Sequence, residues 1–350
     1  MKRVLSQARQ PIFIASACIL VILGIGAAIN PNFVSPNYLL LQLEVASFLG
    51  IVAAGAMLVI LLGHIDLSIP WTITLGGMMA TAVAHTPQTA GLLTLPVGLG
   101  CGVLVGLING VGIAWLRVPS MIFTLGMNAV LQGLVVLYTG GSAPASHATK
   151  LMSAMAVERT FGIPNSLFVW GAVSLFIAFL LRATQFGRYI YAVGNRERAA
   201  YLSGVPTRLV IVACFAVSGL TAALGGIMLT GYSTKAYQGM GDAYLLPSIA
   251  AIVLGGTSVL GGSGSYLGTV VGVLLIVLLQ SMLSVLQMPE AGRQIIYGGV
   301  LLSMLYCMAA ARVSRNKQGY KQPFGLRKKE ATSPSNPART ATLFQGSGIK

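Results

Sequence analysis

The chain has 350 residues, 55% hydrophobic and only 8% charged, with a net charge of +15 and a mean hydropathy of +0.81. Soluble domains carry about 25% charged residues, and a core of this size would not enclose so much apolar surface, so lipid must be the solvent. The positive charge does not indicate nucleic acid: nine of the 22 Lys and Arg lie in the last 39 residues, and most others flank apolar segments.

In chain order, a basic start (Lys2, Arg3, Arg9) precedes an apolar run from Pro11 that leads into Asn30-Pro31-Asn32. That run exceeds the roughly 7–15 residues of a signal-peptide core, so it reads as an uncleaved first span. Apolar segments then recur at 11–29, 42–63, 69–85, 91–116, 120–140, 166–182, 208–231, 246–261, 266–287 and 294–311. The expectation is an all-α polytopic membrane protein of about ten helices. The third and eighth segments are short enough to be re-entrant or broken, which is tolerated only inside protein or beside water. With the N-terminus inside, cytoplasmic regions collect 18 of the 22 basic residues and outer regions four, namely Lys150, Arg159, Lys235 and Arg293. The expected organisation is a cytoplasmic N-terminus over 1–10, a transmembrane domain over 11–311, and a disordered, basic cytoplasmic tail over 312–350.

The seven acids (Glu44, Asp66, Glu158, Glu197, Asp242, Glu290, Glu330) fall at predicted span edges, in loops or in the tail. An ion-coupled transporter or channel, the rival transport reading, is expected to keep a carboxylate at mid-span. Gly98, Gly102, Gly106 and Gly110 make a four-residue repeat along the fourth segment, and Gly264, Gly268 and Gly272 repeat it at the start of the ninth. Such ridges let helix backbones approach closely in lipid.

Enzyme chemistry finds little support. Gly261-Gly262-Ser263-Gly264 matches a short intramembrane serine-protease pattern, but the only histidines are His64, His85 and His147, none in the later spans that would supply a base. Gly239-Met240-Gly241-Asp242 imitates an aspartyl-protease pattern, whose second carboxylate is missing on the same side. No GxxxxGK[ST] loop occurs, so ATP binding through a P-loop is not expected. Cys18, Cys101, Cys214 and Cys307 sit in different segments without metal-site spacing, and no metal or cofactor is expected.

Three stretches carry a resemblance. They are Gly63-His64-Ile65-Asp66-Leu67-Ser68; Phe186 to Gly194 continuing through Glu197-Arg198-Ala199-Ala200-Tyr201-Leu202-Ser203-Gly204-Val205; and Ile249 to Ser258 leading into Gly261-Gly262-Ser263-Gly264-Ser265. In order and separation they resemble the permease subunits of ABC importers for ribose, xylose, galactose and related compounds, over residues 10–312. The resemblance implies passage of a small hydrophilic solute, a monosaccharide or relative, into the cytoplasm. It implies as partners a cytoplasmic ATP-binding subunit, a second permease subunit and an outer solute-binding protein. It also implies that Glu197, Ala199, Ala200 and Gly204, with Arg188, form a coupling element in the loop 184–207 that docks on the ATPase; a solvated basic loop is the plainer alternative. Asp66 fits either a helix cap or a solute ligand. Asn109, Thr124, Asn128 and Gln132 are candidates to line the path, the last two on one helical face. His64, Pro70, Gln132, Leu245 and Pro247 depart from the family pattern, which leaves the solute open.

Overall fold

The computed structural model describes residues 2–83, 93–142, 147–289, 291–296, 298–299 and 302. The tail 312–350, Cys307, Glu290 and most of the segment 294–311 lie outside the described residues.

Helix α1 (Lys2–Ile29) ends at Asn30, whose side chain accepts from the Asn32 N–H at 3.0 Å and opens a 3₁₀ turn over Pro31–Val34. Helix α2 (Pro36–Leu61) follows, with Pro at its first position and Ser35 capping the Tyr38 N–H. It is apolar around its whole circumference and buried almost continuously from Glu44 to Leu61, as a helix without a polar face must be. Next come α3 (Ile69–Ala82), α4 (Thr94–Leu116) and α5 (Ser120–Thr139). A short helix α6 (Lys150–Ala156) and a hairpin of β1 (Arg159–Thr160) with β2 (Ile163–Pro164) lead into α7 (Asn165–Ala183). Then follow α8 (Gln185–Asn195), α9 (Glu197–Leu202), α10 (Thr207–Ser233), α11 (Asp242–Leu254) and α12 (Tyr266–Val285).

The protein is an all-α polytopic membrane protein, and its third and eighth segments are short, as expected. Among the described residues seven helices are long and apolar enough to cross a bilayer: α1 from Pro11, α2, α4, α5, α7, α10 and α12. The third and eighth segments form α3 and α11, of 14 and 13 residues. At a rise of 1.5 Å per residue each covers about 20 Å, short of the roughly 30 Å hydrocarbon core. The tenth is helical over 291–296 and otherwise mostly outside the described residues.

The core forms around α2 and α10, with α10 packed most extensively on α4, then α3 and α2. Glycine sets these approaches. A Cβ at Gly98 would overlap the Gly76 carbonyl and Ile227; at Gly102, the Gly219 carbonyl; at Gly106, the Phe215 carbonyl; at Gly110, Val212. On α12, a Cβ at Gly268 would overlap the Gly255 carbonyl and one at Gly272 the Ala251 carbonyl, while Gly264 lies against Thr257. The faces left uncovered on α1, α5 and α7 are apolar, with Phe13, Leu20, Leu137, Leu175 and Phe179 among the most exposed side chains.

One placement overturns the reading of the acids. Because α2 starts at Pro36 and not near residue 42, Glu44 lies inside the helix and is buried, and Asp66 is buried as well. Two carboxylates therefore sit inside the bundle, and acid placement no longer argues against ion coupling.

Candidate functional site

The chain breaks between α2 and α3 over residues 62–68, where Gly63 takes a left-handed φ of +83°. Backbone polar groups at such a break must be satisfied by protein. Ser120 Oγ accepts from the Ile65 N–H at 3.3 Å and Thr124 Oγ1 from the Leu67 N–H at 3.0 Å, both from the first turns of α5. Asp66 Oδ1 accepts from the Ser68 N–H at 3.0 Å and Ser68 Oγ at 2.6 Å, and its Oδ2 accepts from Ser218 Oγ of α10 at 2.9 Å. Asn109 of α4 donates to Ser68 Oγ at 2.8 Å. Asp66 thus fixes the turn entering α3 and ties it to α4 and α10. Asp66, Asn109 and Thr124 form one buried cluster, and none of them lines either of the two cavities beside α11 and the α4–α5 corner.

The first of these cavities, of about 500 Å³, lies beside the N-terminal part of α11. Asn128, Asp242, Gln280, Arg293 and Gln294 supply its polar lining, and Val45, Leu49, Pro70, Leu245, Pro247 and Val277 its apolar wall. Asn128 Oδ1 is buried without a hydrogen-bond partner, a state that a polar solute would relieve. Gln132, one turn along α5, is exposed on its surface and is not among the cavity residues. The volume suits a small solute, and flat amide and carboxylate groups over an apolar wall suit a hydroxylated one.

The second cavity, of about 610 Å³, opens where α4 turns into α5 and includes Gly63, His64, Arg117, Ser120, Met121 and Glu197. Burial pushes His64 below the usual histidine range, while the Glu197 charge opposes that shift. Beside this cavity lies the segment 184–207. Thr184 caps α8 through the Gly187 N–H, and a Cβ at Gly194 would overlap the Leu61 carbonyl, so α8 sits tightly on the end of α2. In α9, Ala200 is buried and anchors the helix, whereas Tyr201 is 68% and Leu202 85% exposed. Gly204 follows with φ +84°, a left-handed exit that favours glycine. Arg188 and Ala199 are exposed, and Glu197 pairs with Arg117 across 3.2 Å.

Comparisons with known proteins identify the family. A family model described as a branched-chain amino acid transport system permease component matches residues 38–305. The ribose import permease protein RbsC of Escherichia coli is 34% identical over 287 residues, covering 81% of this chain and 89% of that protein. Its Haemophilus influenzae counterpart is 34% identical over 287 residues, with 81% and 88% covered. The autoinducer 2 import system permease protein LsrC of Salmonella typhi is 33% identical over 300 residues, covering 83% of each chain. The chain belongs to this permease family.

Sequence reasoning missed Arg117, which stood alone in a three-residue corner with charge placement as its only signal. It also missed Asp242, Gln280, Arg293 and Gln294 as companions of Asn128, because nothing local brings three distant segments to one cavity.

Proposed function

We propose that this family permease is the membrane-spanning subunit of an ATP-driven importer that passes a small hydroxylated solute, a monosaccharide or relative, into the cytoplasm. The match to a transport-system permease family over residues 38–305 carries the reading, and relatives named as import permeases for ribose and autoinducer 2 support import and the solute class. Solute enters from an outer binding protein and passes the cavity holding Asn128 and Asp242. The exposed Tyr201 and Leu202 of α9 fit an apolar groove on a cytoplasmic ATP-binding subunit, with Glu197, Ala199, Ala200, Gly204 and Arg188 shaping the docking segment. Both termini and the segment 184–207 face the cytoplasm, following the distribution of basic residues. A second permease subunit completes the pathway, and this chain carries no ATPase site of its own. The glycine ridges hold the helices of the pathway together.

The test is uptake of labelled D-ribose by cells carrying the complete importer. Uptake is expected to stop when the ATP-binding subunit is deleted and to persist when a protonophore collapses the proton gradient. Uptake that survives the deletion and follows the gradient would instead identify an ion-coupled transporter, for which the buried Glu44 and Asp66 would be the first groups to change.

A further inference from the structure

Arg117 and Glu197 form an ion pair at 3.2 Å, and its position matters more than its strength. Arg117 ends α4 in a left-handed conformation, φ +57°, so the α4–α5 corner is a sharp, side-chain-bearing turn. Glu197 is the first residue of α9. Trp115, two residues before Arg117, adds a second strap, since the Arg208 guanidinium lies 5.9 Å from its ring centre. The end of α4 is therefore tied to the start of α9 and, past the exposed tip, to the first turn of α10.

The same corner is tied inward. Ser120 and Thr124, just past it, hold the backbone N–H groups of Ile65 and Leu67 at the α2–α3 break. Asn109, two turns before it, holds Ser68, and Asp66 holds Ser218 of α10. The corner borders an open pocket that also reaches His64 and Glu197, whereas the glycine seams elsewhere in the bundle are closed by backbone contact. The ion pair, the backbone of the corner and the Ser120 and Thr124 hydrogen bonds, taken in turn, join the surface of α9 to the buried break.

We propose that Arg117 is a positioning residue for transport: it carries motion of α9 to the α2–α3 break through the α4–α5 corner. This rests on the reading of α8–α9 as the ATPase-docking segment. Arg117 binds neither solute nor nucleotide in this account. An exposed ion pair adds little to folding stability, so its loss leaves the fold intact and breaks the linkage. Coupling between sites commonly amounts to a factor of about five or more.

The experiment uses the permease in complex with its ATP-binding subunit, with Cys18, Cys101, Cys214 and Cys307 replaced and His64→Cys as the reporter on the break. Its labelling rate by a maleimide is measured without nucleotide and with ATP plus vanadate. In the parent complex the rate is expected to change by about fivefold or more. With Arg117→Ala the change is expected to shrink below about twofold while the ATP-binding subunit still co-purifies; Arg117→Lys and the charge exchange Arg117→Glu with Glu197→Arg are expected to restore it. A full nucleotide-dependent change in Arg117→Ala, no change in the parent complex, no restoration by the charge exchange, or loss of the ATP-binding subunit from Arg117→Ala would each overturn the proposal. If the parent chain forms no complex with that subunit, the docking reading itself fails, and the two failures are thereby distinguished.

Discussion

Replacing Gly106 by alanine tests the packing on which the rest depends. The added Cβ would lie 2.8 Å from Ala216 Cα and would also overlap the Phe215 carbonyl, all of it α10 backbone that no rotamer change can move. Carbon atoms pack at about 3.5–4.0 Å, so α4 and α10 must separate by about 1 Å, a gap that forfeits a quarter to a half of each contact along the seam. Overpacking of this kind costs about 1–3 kcal/mol. Gly100, on the same helix, has open space around its Cβ position, and alanine there gains up to about 1 kcal/mol of helix propensity. Thermal unfolding of the detergent-solubilised permease, followed by fluorescence, is the assay. With about 2–4 °C per kcal/mol for a chain of this order of size, Gly106→Ala should lower Tm by several degrees and Gly100→Ala should leave it unchanged or slightly raised. Equal shifts for the two variants would refute the close-packed seam.

Three further outcomes are expected. Asp242→Asn and Asn128→Ala each reduce ribose uptake by roughly tenfold, about 1.4 kcal/mol, without lowering the amount of permease in the membrane; wild-type uptake in both would remove this cavity from the path. Leu202→Asp places a charge on the exposed α9 tip, and Gly204→Val forces a branched residue into φ +84° at a cost of roughly 1–2 kcal/mol; both should weaken recovery of the ATP-binding subunit while permease levels hold. In a background without native cysteines, Arg196→Cys should react with an impermeant thiol reagent only in inverted membranes and Lys150→Cys only in intact cells, and the opposite pattern would invert the topology.

Much of the architecture was legible because lipid imposes one rule on every span: long apolar runs, closed by Pro, Asn, Gly or Arg. The glycine ridges were legible for a similar reason, since a four-residue repeat has one geometric meaning on a helix. Boundaries were less so. The start of α2 moved outward to Pro36 because Ser35 caps it, and that shift took Glu44 from an expected edge into the bundle. Asp66 could be placed at a helix break, but its bond to Ser218 spans 152 residues of sequence, and no local pattern encodes such a partner. Glu197 was visible as a charged residue in a basic loop, with Arg188, Arg196 and Arg198 as the obvious neighbours; its actual partner, Arg117, comes from a different corner. The cavity beside α11 was hidden for the same reason, being assembled from α2, α3, α5, α11, α12 and residues 293–294.

The central claim is that solute crosses this permease only when a separate ATP-binding subunit hydrolyses ATP on the side of α8 and α9. The direct measurement is made in proteoliposomes holding the permease and that subunit, with binding protein and labelled D-ribose supplied on the opposite side. The account predicts ribose accumulation that requires ATP on the α8–α9 side, stops with vanadate and is indifferent to an imposed proton or sodium gradient. Accumulation without ATP, driven by either gradient, would contradict it.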